Sequence, residues 1–322
     1  VRYTNSKLKA FRRCKRSYYY KFVEDLVPKT IGEPLRRGTW LHELLEYHYG
    51  GGNWRVRHAE LTAEFDSLFD EEKDYYGDLP GLCERIFASY VFHYREEDAG
   101  LKVIALEEKC EVPMPGTDHV MVFKFDMIAE DENGRWLFED KSHTKIPGDD
   151  YRFLDTQSNQ YVWGLNELGT YGHIDGICWN YLRAKPPTIP KLKKNGELSK
   201  RKIDTDAYTF LKALKEYGLE PADHRDVLLR LKQGSSTFFR RNYVPTTPQV
   251  VKTILEEAVH AADEIERGFL PDRTIDRSCE YCSYKDLCVV DLYQGNRDQL
   301  IKLKYKKAEK GDYYGYEEIN AE

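Results

Sequence analysis

Apolar positions recur along this chain in two rhythms, one helical and one alternating. In residues 6–23, Leu8, Phe11, Tyr18, Tyr19 and Phe22 are set among Lys7, Lys9, Arg12, Arg13, Lys15 and Arg16. That spacing predicts a helix, with Ser6 as its N-cap and Cys14 at its middle. Residues 28–34 read as a loop, and a second helical pattern over 38–48 stops at Gly50-Gly51-Gly52. Patterns over 54–75 and 79–97 extend this helical cover. The rhythm then shortens: 103–112, 119–129 and 134–142 read as consecutive antiparallel strands. A helix over 153–168 and an apolar, β-rich strand over 171–184 follow. The order β-β-β-α-β predicts an α/β fold, a central mixed sheet flanked by helices. Prolines at 186–190 break the pattern before a basic arm over 191–202 centred on Asn195-Gly196. Helices over 205–217 and 221–233, a strand or clamp over 236–243 and a long helix over 248–268 complete the pattern.

One pair of strands carries the candidate chemistry. Asp126 closes an apolar run, and Glu139-Asp140-Lys141 closes the next, with Asn133-Gly134 between them. Asn-Gly is a strong signal for a tight hairpin turn. The hairpin would return Asp126 beside Glu139 and Lys141, which share a strand face while Asp140 points away. Two carboxylates and an ammonium at one sheet edge suit a hard divalent cation and an attacked phosphate. His42 and Glu46 share one face of the preceding helix, and Gln157 and Tyr161 share one face of the following helix.

Composition narrows the class. The chain has 322 residues, 41% hydrophobic and 32% charged, enough for one large globular domain or two ordinary ones. No run reaches the ~18 apolar residues of a membrane helix. Residues 1–7 lack the apolar core of a signal peptide, so a cytoplasmic protein with no membrane partner is expected. The net charge of -6 does not favour nucleic acid, but an acidic total leaves room for a local basic groove. The basic arm (Lys191, Lys193, Lys194, Lys200, Arg201), with Arg240 and Arg241, is the candidate DNA contact. Seven cysteines argue against a disulfide framework in such a chain. Cys83, Cys110 and Cys178 stand singly in apolar surroundings, whereas Cys279, Cys282 and Cys288 cluster. Zinc is one candidate for clustered thiolates, but zinc sites usually present two close pairs, and three cysteines with one remote partner suit an iron–sulfur cluster better.

Taken in order, Cys14, Gly38-x3-His42, Asp126, Glu139-x-Lys141, Gln157-x3-Tyr161 and the Cys279, Cys282, Cys288 cluster resemble the PD-(D/E)XK nuclease superfamily. The likeness is to its RecB-like iron–sulfur branch, which includes CRISPR-associated RecB-like exonucleases, the nuclease domain of AddB and phage recombination exonucleases. The resemblance covers about residues 6–290 and implies a restriction-endonuclease-like sheet. It implies Mg²⁺ or Mn²⁺ held by His42, Asp126, Glu139 and the main-chain carbonyl of Asp140. Lys141 and Gln157 with Tyr161 then match the remaining motif positions, where Lys141 orients water and stabilises phosphate. Cys14, Cys279, Cys282 and Cys288 would hold a structural [4Fe–4S] cluster joining the two ends of the chain. Lys124-Phe125 before Asp126 departs from the family, where a small residue is frequent. The domain implied spans 1–290: a helical cover (about 35–98), a catalytic sheet (about 103–184), a basic arm and helical insert (about 186–245) and a cysteine segment (247–290, with Cys14). A charged, partly disordered tail occupies 291–322. The function implied is a phage-encoded, metal-dependent DNA exonuclease serving recombination, replication or repair, alone, as a homo-oligomer or with a single-strand-annealing protein. A prespacer-trimming nuclease of CRISPR adaptation and a non-catalytic DNA-binding module are the alternatives.

Overall fold

The computed structural model describes residues 1–148, 154–192, 198, 204–233 and 237–309. At its centre is a five-stranded mixed sheet, in the spatial order Lys102–Leu106, Met127–Asp131, Gly134–His143, Gly176–Arg183 and Phe239–Pro245. Neighbours run antiparallel except for Gly134–His143 and Gly176–Arg183, which are parallel and joined by the helix Thr156–Leu168. This is the expected α/β fold with a mixed sheet between helices.

Alternation along the strands divides the core. Leu137, Ile177, Trp179 and Tyr181 belong to the core shared with the helices Asn5–Arg13, Thr156–Leu168 and Pro248–Glu266. Trp136, Phe138 and Cys178 lie on the opposite face, in a cluster reached by Tyr49. Leu182 and Phe239 join the core built from the helices Glu33–Tyr49 and Leu79–Asp98. Both faces are therefore covered, and the polar residues on them lie in the interior.

The hairpin forms, but its two-residue loop is Glu132-Asn133, one residue before the expected Asn133-Gly134, with Asp131 paired to Gly134. The Asp131 carboxylate accepts from the Asn133 amide at 2.8 Å. Gly134 has φ 141°, and a Cβ there would meet Asp175 at 2.5 Å, so side chains are excluded twice over.

Several elements differ from the sequence pattern. The helix expected over 6–23 is interrupted at Cys14, whose backbone is extended (φ −163°), and its cap is Thr4, which accepts from the Lys7 amide at 3.2 Å. The helix carrying His42 begins at Glu33, with Pro34 in its first turn, where a missing amide costs nothing. The strands expected over 103–112 and 119–129 are each broken in two. Their outer halves, Lys109–Pro113 and Val120–Lys124, form a separate three-stranded sheet with Arg2–Tyr3. Both breaks occur at one level, where the Glu107 amide donates to the Asp126 carbonyl at 3.0 Å and Glu107 takes a left-handed φ of 51°. Residues 291–309 are not a loose tail: the helix Arg297–Lys304 leads into Tyr305–Lys307, which pairs with Leu26–Pro28. Tyr20, Leu26, Tyr284, Leu287 and Tyr305 pack the two ends of the chain together there. No helix among the described residues is long and apolar enough to cross a membrane.

Candidate active site

Asp126 sits at the strand break, free of the ladder, and its carboxylate accepts from the Asp140 amide at 2.7 Å. This bond ties the break to the end of the strand Gly134–His143. His42, on the helix above, places Nδ1 3.6 Å from the Asp126 carboxylate. His42 also lies within hydrogen-bonding reach of the Asp140 main chain. Donor atoms of His42, Asp126 and Asp140 lie within 4.8 Å of one another, the one such group of three or more among the described residues.

This group differs in part from the expected ligand set. The Asp140 carboxylate, expected to point away with only its carbonyl serving, belongs to the group, while the Glu139 carboxylate stands outside it. The alternation was sound, but the helix bearing His42 covers the face that Asp140 occupies. Glu139 lies on the other face with Lys141, whose Nζ donates to Glu139 Oε2 at 3.0 Å. Glu139 is 1% exposed, and its second oxygen is buried with no hydrogen-bond partner.

The electrostatics are those of a buried, acid-rich site whose nearest counter-charge is Lys141. Burial pushes Glu139 up to about 7, an effect that Lys141 opposes and Asp126 reinforces. Burial, then Asp126, also holds Asp140 well above the usual carboxylate range. Glu107, which sequence reasoning missed, is pushed up to about 7 by burial and Asp126, although it pairs with Lys124 at 2.6 Å. Burial lowers Lys141, but Glu139 and Asp126 more than offset this and leave it above its ordinary value, firmly protonated. Burial pulls His42 down, with partial opposition from Asp126, which favours the neutral imidazole that ligates metals. An orphaned buried carboxylate oxygen and a set of oxygen donors with one imidazole fit a divalent cation such as Mg²⁺ or Mn²⁺.

A polar network supports Asp140 from behind. Asn180 Nδ2 donates to Asp140 at 2.6 Å and to the Tyr90 hydroxyl at 2.8 Å, and Tyr90 meets Tyr49 at 2.7 Å. Arg241 donates to Tyr49 at 2.6 Å and Tyr90 at 3.2 Å, and lies 2.7 Å from Asp98 and 2.8 Å from Glu97. Its side chain is 2% exposed, so Arg241 belongs to this interior network and does not offer its charge to DNA. Arg240 packs over Tyr181 and donates to the Pro147 carbonyl. Lys191 is exposed, while Lys193, Lys194, Lys200 and Arg201 lie outside the described residues. Asn180 left one sequence signal, an amide inside an otherwise apolar strand.

Gln157 lies in the first turn of the helix Thr156–Leu168 and donates to the Tyr161 hydroxyl at 3.2 Å. Asp155, the cap of that helix, is close enough to raise Glu139 further. Tyr161 stacks on Phe123 at 4.5 Å and is almost buried.

The cysteines differ in burial. Cys83, Cys110 and Cys178 are buried, and burial pushes the Cys83 and Cys110 thiols up to about 12 and about 11. Cys14, Cys279, Cys282 and Cys288 are half-buried. The segment after Cys14 meets the C-terminal one through the Arg16 amide and the Asp272 carbonyl at 2.9 Å, and Arg273 Nε donates to the Cys288 sulfur at 3.2 Å. No three of these sulfurs reach the 4.8 Å grouping seen at His42. Tetrahedral zinc would bring them to about 3.8 Å, given Zn–S bonds of about 2.3 Å.

Comparison with known families agrees with this geometry. The family model described as the PD-(D/E)XK nuclease superfamily matches residues 2–289. No curated protein matches the chain.

Proposed function

The chain belongs to the PD-(D/E)XK nuclease superfamily, and from that premise we propose that it is a divalent-metal-dependent DNA exonuclease working from DNA ends. The observation that carries this reading is the His42–Asp126–Asp140 group beside the Glu139–Lys141 pair. A divalent cation held by His42, Asp126 and Asp140, with Glu139 as the nearby reserve of charge, would lower the pKa of a bound water and neutralise phosphate oxygens. Lys141, kept charged by Glu139, would position a water and stabilise charge growing on the phosphate. Glu139 Oε1, free of hydrogen bonds, is able to accept a proton as the water attacks. Gln157 orients the substrate phosphate from the helix start, and Tyr161 fixes Gln157. Action at ends, service in recombination, replication or repair, a phage origin and an annealing-protein partner rest on the RecB-like pattern of motifs.

Cys14, Cys279, Cys282 and Cys288 are proposed to hold a [4Fe–4S] cluster. Their half-buried state and their position where the two ends of the chain meet support this reading.

The test pairs wild type with Lys141→Ala, both purified anaerobically, on end-labelled linear and on circular single-stranded DNA with Mn²⁺, Mg²⁺ or EDTA. Metal-dependent loss of linear DNA alone, abolished by the substitution, is expected. Cleavage of circles would replace exonuclease with endonuclease, and intact substrates with either metal would overturn the catalytic reading.

A further inference from the structure

A cleft of about 710 Å³ runs between the N-terminal helices and the helix that carries His42. One wall presents Lys9, Arg13 and Lys21, the other presents Arg36, and Tyr281 lies at the rim by the cysteine segment. Lys9 and Arg13, four apart, share one face of the helix Asn5–Arg13, and Ser17 and Lys21, beyond the interruption at Cys14, line the same cleft. Such neighbours stand about 6 Å apart, near the interval between phosphates of an extended single strand.

The ion pairs separate this face from its neighbours. Arg12 and Lys15, turned the other way, are bound to Glu257 and Glu264 of the helix Pro248–Glu266. Among the described residues, Lys9, Arg13 and Arg36 have no carboxylate partner within ion-pairing distance, and the Arg36 Nε is buried without a hydrogen bond. The acids on the cleft wall, Glu43 and Glu64, are both engaged by Arg57. A chain of net charge -6 has thus left one groove with a cationic lining.

Both walls belong to elements joined to those that carry the active site. The N-terminal helix is fastened there by Asn5, which donates to Gln160 at 2.8 Å and Thr156 at 3.2 Å of the helix bearing Gln157. The other wall is continuous with His42, one turn beyond Thr39. The cleft has the volume of a small-molecule pocket, which runs to about 1,000 Å³, whereas the major groove of a duplex is itself about 12 Å wide. Tyr281 is 83% exposed, a flat ring of the kind on which unpaired bases stack.

We infer that this cleft is the track of a single DNA strand between the metal site and the cysteine segment, with Lys9, Arg13 and Arg36 on its phosphates and Tyr281 stacked on a base. The inference rests on the nuclease reading for its substrate, but binding tests it without cleavage. Fluorescence anisotropy in EDTA with labelled oligothymidylate compares wild type, Lys9→Glu/Arg13→Glu, Arg12→Glu and Tyr281→Ala. The double variant is expected to bind roughly tenfold more weakly and to lose about 1.4 from the slope of log K against log salt, about 0.7 for each phosphate contact on a single strand. Arg12→Glu, the same charge change one residue away on the other face, is expected to bind within about twofold of wild type at low salt. Tyr281→Ala is expected to weaken binding while keeping the wild-type salt slope. Unchanged binding in the double variant, an equal loss from Arg12→Glu, or a greater loss on blunt duplex than on single strand would overturn the track. Mn²⁺-dependent hydrolysis of bis(p-nitrophenyl) phosphate by wild type is measured separately. Its absence would sink the nuclease reading while leaving the binding result to stand.

Discussion

Replacing Arg241 with alanine separates two roles that sequence alone could not distinguish. As a DNA contact, Arg241 would be dispensable for folding, and its loss would lower the salt slope of DNA binding by about 0.7–0.9. In the structure its guanidinium lies 3.9 Å from the Tyr94 ring centroid, between Asp98 and the hydroxyls of Tyr49 and Tyr90. The 2.7 Å approach to Asp98 Oδ1 is close but poorly aligned for a hydrogen bond, so attraction of charge dominates there. Asp98, 15% exposed, would lose its cation and keep only the Tyr49 hydroxyl, whereas Glu97, 50% exposed, would be rehydrated. Removing one partner of a buried pair costs about 3–5 kcal/mol. Unfolding entropy of about 2.1 cal/mol/K per residue gives about 0.7 kcal/mol/K for this chain. The melting temperature of Arg241→Ala should therefore fall by about 4–7 °C. Thermal unfolding by circular dichroism measures this, and anisotropy titrations at several salt concentrations measure the slope. An unchanged melting temperature with a reduced salt slope would refute the structural role and return Arg241 to the DNA surface.

Three further outcomes follow from the site and its supports. Glu139 in the metal-free protein holds its proton up to about pH 7, above the ordinary 4.5, so the folded state is the more protonated one across that window. Its contribution to stability is fully present below 4.5 and is lost as pH rises through about 7, by about 3 kcal/mol at 1.36 kcal/mol per unit. Melting curves in EDTA should thus fall with pH more steeply for wild type than for Glu139→Gln; parallel curves would dismiss the buried, orphaned carboxylate. Asn180→Leu should cost about 1–3 kcal/mol by leaving Asp140 and Tyr90 without their donor, and should weaken Mn²⁺ binding by about 10–100-fold by calorimetry. Unaltered Mn²⁺ affinity would remove Asp140 from the metal site. Cys282→Ala, purified anaerobically, should be colourless and melt well below a brown wild type, and a normal melting temperature would refute a structural cluster.

Much of the fold could be read from periodicity because the strands are buried on both faces and the helices carry apolar stripes. The break at Glu107 and Asp126 could not, since a left-handed φ is signalled by glycine or asparagine, and glutamate there gives no warning. That break frees Asp126 from the ladder, so the feature that positions a site residue was the one hidden. For Asp140, alternation gave the right face, but which helix lies over a face is a long-range fact. The same limit applies to Arg240 and Arg241: adjacent residues on an edge strand point to opposite faces, and a charged pair reads as exposed until both faces prove covered. Residues 291–309 looked like a tail because lysines dominate their composition. Pairing with Leu26–Pro28 needs only the backbone, which composition does not report.

The hydrogen bonds behind Asp140 have a polarity, and it explains how a carboxylate is held in place among other acids. Arg241 offers only protons, so Tyr49 and Tyr90 both accept from it. Tyr49 donates its own proton to Asp98 at 3.0 Å, which leaves the Tyr90 proton for Tyr49. Tyr90 has then spent its donor, and towards Asn180 it can only accept. The Asn180 amide is therefore oriented with its nitrogen between Tyr90 and Asp140 and its oxygen turned away, where that oxygen is left buried without a partner. A flipped amide would set its one oxygen against both the Asp140 carboxylate and the Tyr90 hydroxyl, two repulsions in place of two bonds. The unsatisfied oxygen, costing about 1–3 kcal/mol, is the consequence of aiming a donor at Asp140. Arg241, on the edge strand, thus fixes the orientation of a carboxylate two strands away, and His42 and Asp126 meet that carboxylate from the other side.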